Sequence, residues 1–180
     1  YLGSKLGEDY LAVNAILMQF IILAAFFLDA YAFSTEGIVG FTIGRKNKKS
    51  FLSVVKNSIQ LSFYTALIIS LLYLIFFKQI INIITDIEIL RFLSYKHAIW
   101  IIIIPPIASF CYQLDGIFIG ASQTQEMRNG MIISVASFII ISIYLTKYFG
   151  NHGLWFSLVL FTVLRSLTLR YFFNKILKKF

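Results

Sequence analysis

Three carboxylates lie within or at the end of long apolar segments, where a charge is costly. They are Asp29, Glu36 and Asp115. A carboxylate at the centre of a membrane helix costs about 2.5 to 3.5 kcal/mol on insertion scales, so each needs a partner, water or a proton. A buried acid that binds and releases a proton is the chemistry of ion coupling, and intramembrane ionisable residues are candidates for function by default.

Neighbouring residues suggest how these acids could act. Tyr112 lies three residues before Asp115, on the same helical face, where it either joins the carboxylate as an oxygen ligand for Na⁺ or serves as a packing or interfacial aromatic residue. Asp29 and Glu36 are seven residues apart, which is two helical turns, so both could face one cavity. Glu36 has a second interpretation as an interfacial charge, because a basic loop begins at Arg45.

A positive charge offers a structural alternative for these acids. Arg165 lies inside the last apolar segment and is the obvious counter-charge for Asp115 or Asp29. In this interpretation the acids form a structural ion pair and take no part in coupling.

The segment that carries Asp115 also contains Pro105 and Pro106. Two prolines remove backbone donors and predict a bend in this helix. Bent helices with freed carbonyls are typical of transporter cavities, although bent structural helices also occur. Gly116 and Gly120 form a GxxxG pair, which favours close helix packing.

Composition predicts an integral membrane protein. The 180 residues are 59% apolar, against an ordinary range of about 45 to 50%, and the net charge is +8. Mean hydropathy is +0.82. Five apolar segments reach the ~20 residues that a bilayer core demands, which predicts an all-α polytopic membrane protein with spans at about 11–43, 54–77, 97–121, 130–148 and 154–173. The first is too long for a simple span and must tilt, kink or project.

Charge distribution predicts the orientation. Most Lys and Arg residues fall in RKNKKS (45–50), in QTQEMRN (123–129) and at the C terminus. Short basic loops face the cytoplasm, so we expect these three regions there. The positive charge lies at helix ends and not on a soluble domain, which excludes a nucleic-acid partner.

Between the second and third segments, Thr85 and Glu88 have the spacing of a capping box. This predicts either a short interfacial helix starting there or a direct lead into the third span.

Other chemistries have little support. His97 and His152 sit at span ends without an HExxH or CxxC motif, and Cys111 is the single cysteine. No GxxxxGK[ST] loop is present. We therefore expect no enzymatic activity, no metal site and no cofactor, with energy taken from an ion gradient.

The chain begins at Tyr1, near what looks like the tail of a helix, so we expect a fragment of a longer protein. Two stretches then carry a family resemblance: LAVNAILMQFIILAAFFLDAYAFSTEGIVGFTIGRKNKK and FCYQLDGIFIGASQTQEMRNGM. With GNHGLW and LRSLTL, they resemble the C-terminal half of multidrug and toxic compound extrusion (MATE) transporters, particularly the DinF-like branch.

The resemblance implies a twelve-helix transporter in two six-helix bundles, with this chain as the C-terminal bundle and residues 1–7 as the end of its first helix. It implies export of cationic or amphipathic compounds in exchange for H⁺ or Na⁺. Asp115 then matches a cation-binding acid of the tenth helix, and Asp29 and Glu36 match acids of the eighth. The N-terminal bundle is absent from this chain, so it is an implied partner.

Two alternatives remain beside this hypothesis. A lipid-linked oligosaccharide flippase of the same superfamily would need a strongly cationic cavity, to which only Arg165 is deep enough to contribute. A structural membrane subunit would need only paired charges.

Overall fold

The computed structural model describes residues 3–180, and these residues form long helices. A short 3-10 turn at Ser4–Leu6 precedes α1 (Glu8–Gly44), α2 (Lys48–Ile84), α3 (Glu88–Gly120) and α4 (Thr124–Leu177). All four helices are long and apolar enough to cross a membrane. The prediction of an all-α polytopic membrane protein is confirmed. Of the predicted helix tail at residues 1–7, Tyr1 and Leu2 lie outside the described residues.

A non-helical residue divides α4 into two arms. Gly150 has φ 56° and ψ −136° within the helix, a conformation that suits glycine because a side chain is strained there. Residues 124–149 (the first arm) and 151–177 (the second arm) then pack against each other, as the ring contact of Phe138 with Phe161 shows. The fourth and fifth predicted spans lie on either side of this bend.

The turn between α1 and α2 and the turn between α3 and α4 are short and share one geometry. After α1, Lys46 adopts φ 51° and the Asn47 amide donates to the Thr42 carbonyl at 3.0 Å, which is the Schellman pattern for ending a helix. Asn47 then caps α2, because its side-chain oxygen accepts from the Ser50 amide at 2.9 Å. Ser122 ends α3 in the same left-handed conformation. Both turns reverse the chain within three residues.

The predicted interfacial helix does not form separately. Helix α3 begins at Glu88, with Ile87 as its N-cap, and continues without a break to Gly120. Thr85 accepts a bond from the Ile87 amide at 3.2 Å instead of forming a reciprocal capping box with Glu88. Leu90 and Leu93 are buried in the protein core, so this first turn packs against its neighbours and leads directly into the span.

Helix α1 illustrates how these helices meet both protein and lipid. Its buried residues recur every three or four positions along one stripe, from Val13 through Leu17 and Phe20 to Val39. Residues on the other faces are equally apolar but exposed, such as Phe26 and Phe33, at 69% and 71%. An apolar helix exposed on most of its circumference is stable in contact with lipid, whereas water would make it aggregate.

The closest approach in the bundle is between α1 and α3, at the predicted GxxxG pair. A Cβ atom added to Gly116 would lie 2.4 Å from the Ala32 carbonyl oxygen, and one added to Gly120 would lie 2.4 Å from that of Glu36. Backbone therefore packs against backbone at these positions, which only glycine permits.

We expect Gly116→Ala to lower the free energy of unfolding by about 1–3 kcal/mol, as overpacking does elsewhere, because α1 must move to accept the methyl group. Gly37→Ala is the matched control, since a Cβ there meets no atom within 4 Å. Unfolding in mild detergent, followed by helical circular dichroism, measures the difference. Equal stability of the two variants would contradict the close crossing.

Candidate functional site

Asp115 and Arg165 form an ion pair between α3 and the second arm of α4. Arg165 Nη2 donates to Asp115 Oδ1 at 2.7 Å, and Nε donates to Oδ2 at 3.2 Å. This is the two-pronged arrangement in which arginine binds a carboxylate most strongly. Arg165 Nη1 also donates to the Met131 sulfur at 2.6 Å, so the guanidinium contacts both arms of α4 as well as α3.

The pair is largely shielded from solvent. The exposed fractions of the side chains are 7% for Arg165 and 22% for Asp115. Two charges brought out of water offset each other's desolvation only when the geometry is good. The arrangement therefore depends on both partners, and loss of either one leaves an uncompensated charge.

The ion pair borders a cavity of about 260 Å³ between α1, α3 and α4. Asp115, Arg165 and Tyr112 all contribute to its wall. The rest of the wall is mainly apolar, with Met18, Ile21, Ile104, Ala108, Leu158 and Phe161 among its residues. The cavity is thus a mostly apolar chamber with a salt bridge on one side.

Tyr112 has the position that the spacing predicts, one turn from Asp115 and on the same cavity wall. Its hydroxyl has no hydrogen-bond partner among residues 3–180. An unengaged hydroxyl beside a carboxylate is able to bind a water, a cation or a polar group of a ligand.

The acids of α1 are placed differently from each other. Asp29 is half-buried and is an electrostatic neighbour of both Tyr112 and Asp115. Glu36 lies two turns further along, at the crossing with Gly120, and has no such relation to Asp115. Neither acid is among the cavity-lining residues, and within the described chain neither has an ion-pair partner. The structure thus brings Asp29 near the pair but not Glu36.

Pro105 and Pro106 lie inside α3, which stays helical through both. Since proline has no amide hydrogen, the carbonyls of Ile101 and Ile102 lose their usual helical partners. Ile104 and Ala108, on either side of the prolines, line the cavity. The bend itself stays a prediction.

Sequence analysis missed a second polar contact on α3. Gln113 is fully buried and accepts a hydrogen bond from the Thr35 hydroxyl of α1 at 3.0 Å. Its amide nitrogen has no partner in residues 3–180. A glutamine within the apolar run that holds Asp115 was the signal available, since a buried amide in lipid also needs partners.

The two histidines, distant in sequence, meet at the end of the bundle near Gly150. Their rings stack with centroids 4.2 Å apart, and the Trp100 indole donates to His152 Nδ1 at 3.0 Å. Across the described residues, no group of three or more His, Cys, Asp or Glu side chains could hold a metal ion. The pair joins α3 to the second arm of α4.

Comparison with known proteins agrees with this architecture. The MatE family model matches residues 1–147. The chain is 37% identical over 168 residues to DNA damage-inducible protein F of Escherichia coli (strain K12), a match that covers 93% of this chain and 36% of that protein. It is 24% identical over 167 residues to Protein DETOXIFICATION 43 of Arabidopsis thaliana, covering 93% of this chain and 32% of that protein.

The chain thus spans about a third of the length of these relatives. The family model covers well over half of the chain, and the resemblance inferred from the sequence motifs is confirmed. The chain belongs to the MatE family of multidrug and toxic compound extrusion transporters.

Proposed function

We propose that this chain is the C-terminal bundle of a secondary transporter that exports cationic or amphipathic compounds in exchange for H⁺ or Na⁺. The N-terminal bundle would come from the rest of the same protein. The basic helix ends support an inner-membrane location with a cytoplasmic C terminus. Family membership supports a transport function, and the geometry of the cavity supports Asp115 as a coupling residue.

One observation carries the proposal: the charged pair of Asp115 and Arg165 faces a mostly apolar cavity inside a membrane bundle. Binding of a proton or Na⁺ neutralises the Asp115 carboxylate, which only one guanidinium otherwise balances. Arg165 would then lose its counter-charge and would have to move or find another partner. Ion occupancy at Asp115 would thereby alter the contact between α3 and α4.

The neighbouring groups extend this mechanism. Asp29 is the described acid with an electrostatic influence on Asp115 and would accept or release a proton or Na⁺ as Asp115 releases or accepts it. Tyr112 would provide a hydroxyl oxygen at the cavity wall. Glu36, further along α1, would act at a separate position. Rocking of this bundle against its partner bundle would convert these changes into alternating access.

A structural role for the ion pair is the second candidate, and the two-pronged geometry favours it. In this case Asp115 stays ionised, and the pair only holds α3 to α4. The flippase hypothesis has less support, because among residues 3–180 Arg165 is the one basic residue that lines the cavity, and Asp115 already neutralises it.

We expect Asp115→Asn in the full-length protein to reduce ion-driven export by at least about tenfold, because an amide cannot exchange a proton in this range. Export of a fluorescent cationic dye from proteoliposomes, driven by an imposed H⁺ or Na⁺ gradient, measures the effect. Glu88→Gln is the control, since Glu88 is an exposed acid at the start of α3. Transport at the wild-type rate in D115N would remove Asp115 from the mechanism.

A double substitution separates the two candidates. Arg165→Gln alone should destabilise the protein by up to about 3–5 kcal/mol, because it leaves the largely shielded Asp115 carboxylate unpaired, and the pair D115N/R165Q should recover most of that stability. If the ion pair is only structural, the double variant also recovers transport. If Asp115 couples to the ion, the double variant is stable but inactive. Both properties are measured on the same proteoliposome preparations, by thermal unfolding and by dye export.

A further inference from the structure

A second cavity opens on another side of the bundle, away from the ion pair. It is a groove of about 400 Å³ between α2, α3 and the second arm of α4. Apolar side chains from all these helices form its walls, including Val55, Ile59, Phe110 and Leu114. Nothing in the proposed transport mechanism uses this groove.

Two basic residues stand at the groove, one from each flanking helix. They are Lys56 of α2 and Arg170 of α4, both exposed. Within residues 3–180 neither forms an ion pair with a carboxylate, unlike Arg91, Arg165 and Lys175, which are each paired with an acid. Arg170 stacks over the Phe173 ring at 5.5 Å, which holds its guanidinium beside the groove. The groove therefore carries two uncompensated positive charges.

The groove extends along the helices to either side of its two basic residues. Lys56 is eight residues from the start of α2 and Arg170 seven from the end of α4, which places both roughly 10–12 Å from the same end of the bundle. Ile59 and Phe110 are further from that end, at roughly 15–17 Å. By the same count Leu52, Leu114 and Phe173 lie nearer that end, at roughly 6–9 Å. The wall on the bilayer side of the two cations is therefore formed by the apolar residues Ile59 and Phe110.

Two cations followed on the bilayer side by an apolar wall match the headgroup and the acyl chain of a phospholipid. From these observations we propose that the groove binds an anionic phospholipid, with its phosphate between Lys56 and Arg170 and an acyl chain along Ile59 and Phe110. Two unpaired cations favour a net negative headgroup over a zwitterionic one, whose positive group would be repelled. The site is independent of the proposed transport function, because it shares no residue with the cavity at Asp115.

The test measures lipid retention by the full-length protein. Purified protein is delipidated in detergent, titrated with phosphatidylglycerol or with phosphatidylcholine of the same acyl chains, and examined by native mass spectrometry. We expect phosphatidylglycerol to bind at least about tenfold more tightly, because both basic residues near the membrane surface attract its net negative headgroup. Inorganic phosphate in excess should not displace it, because a free ion lacks the acyl contact.

Variants locate the site. Lys56→Gln with Arg170→Gln should lower phosphatidylglycerol affinity about tenfold. Lys49→Gln with Lys178→Gln is the matched control, because it removes two exposed charges from the same end of the bundle outside the groove; we expect an affinity within twofold of the wild type. Ile59→Ser keeps both charges and should weaken binding through the apolar wall alone.

Three results would overturn the proposal. Equal affinity for phosphatidylglycerol and phosphatidylcholine would mean that the basic residues do not select the headgroup. An equal loss in the control pair would mean a diffuse charged surface instead of a site. Displacement by inorganic phosphate would mean an anion site without a lipid.

Discussion

The structure depends on the salt bridge between Asp115 and Arg165. Burial of either charge alone in a lipid-surrounded bundle is costly, so the two helices that carry them must stay in register. Arg165 also reaches Met131 on the first arm of α4. The Arg165 side chain thus connects α3 and both arms of α4. The apolar packing around it has little directional preference, because lipid is as favourable a neighbour for a leucine as another leucine.

Close backbone contact provides the second constraint. Gly116 lies one residue from Asp115, and its contact with Ala32 brings α1 against the same part of α3 that holds the ion pair. Asp29 lies on the preceding turn of α1, which is why its charge acts on Asp115. At the other end, Asn14 of α1 accepts from the Trp155 indole at 2.8 Å and donates to Asn151 at 2.7 Å. Polar contacts thereby tie α1 to the bend of α4.

Sequence alone predicted the helical fold and offered the ion pair as one alternative, because lipid makes both apolar length and isolated charge informative. A run of about twenty apolar residues has few alternatives to a membrane helix, and an arginine inside such a run requires a counter-charge, which made Arg165 a candidate partner of Asp115. The sequence left open whether Glu36 shares this site or is an interfacial charge. The position of Glu36 depends on how far α1 has slid along α3, and that register follows from the glycine contacts in three dimensions.

Uncharged polar residues, which cost less free energy to bury than charged ones, were harder to interpret. Gln113 and the stacked histidines carry no obligatory charge, so their types allow packing, hydrogen bonding or exposure equally. The continuous start of α3 was likewise ambiguous, because the spacing of Leu90 and Leu93 suits a membrane surface as well as a protein core. Only their neighbours in the folded bundle, contributed by other helices, distinguish these cases.

The glycine contacts between α1 and α3 have a mechanical consequence. The backbones of α1 and α3 touch at two successive turns. The two helices cannot slide or separate without losing both contacts, so we expect them to move together as one rigid unit. A change in the volume of the cavity beside Asp115 must then come from its opposite wall, which is α4. Gly150 is the one non-helical residue inside that helix, so we expect any displacement of one arm of α4 relative to the other to be centred there and to strain the ion pair.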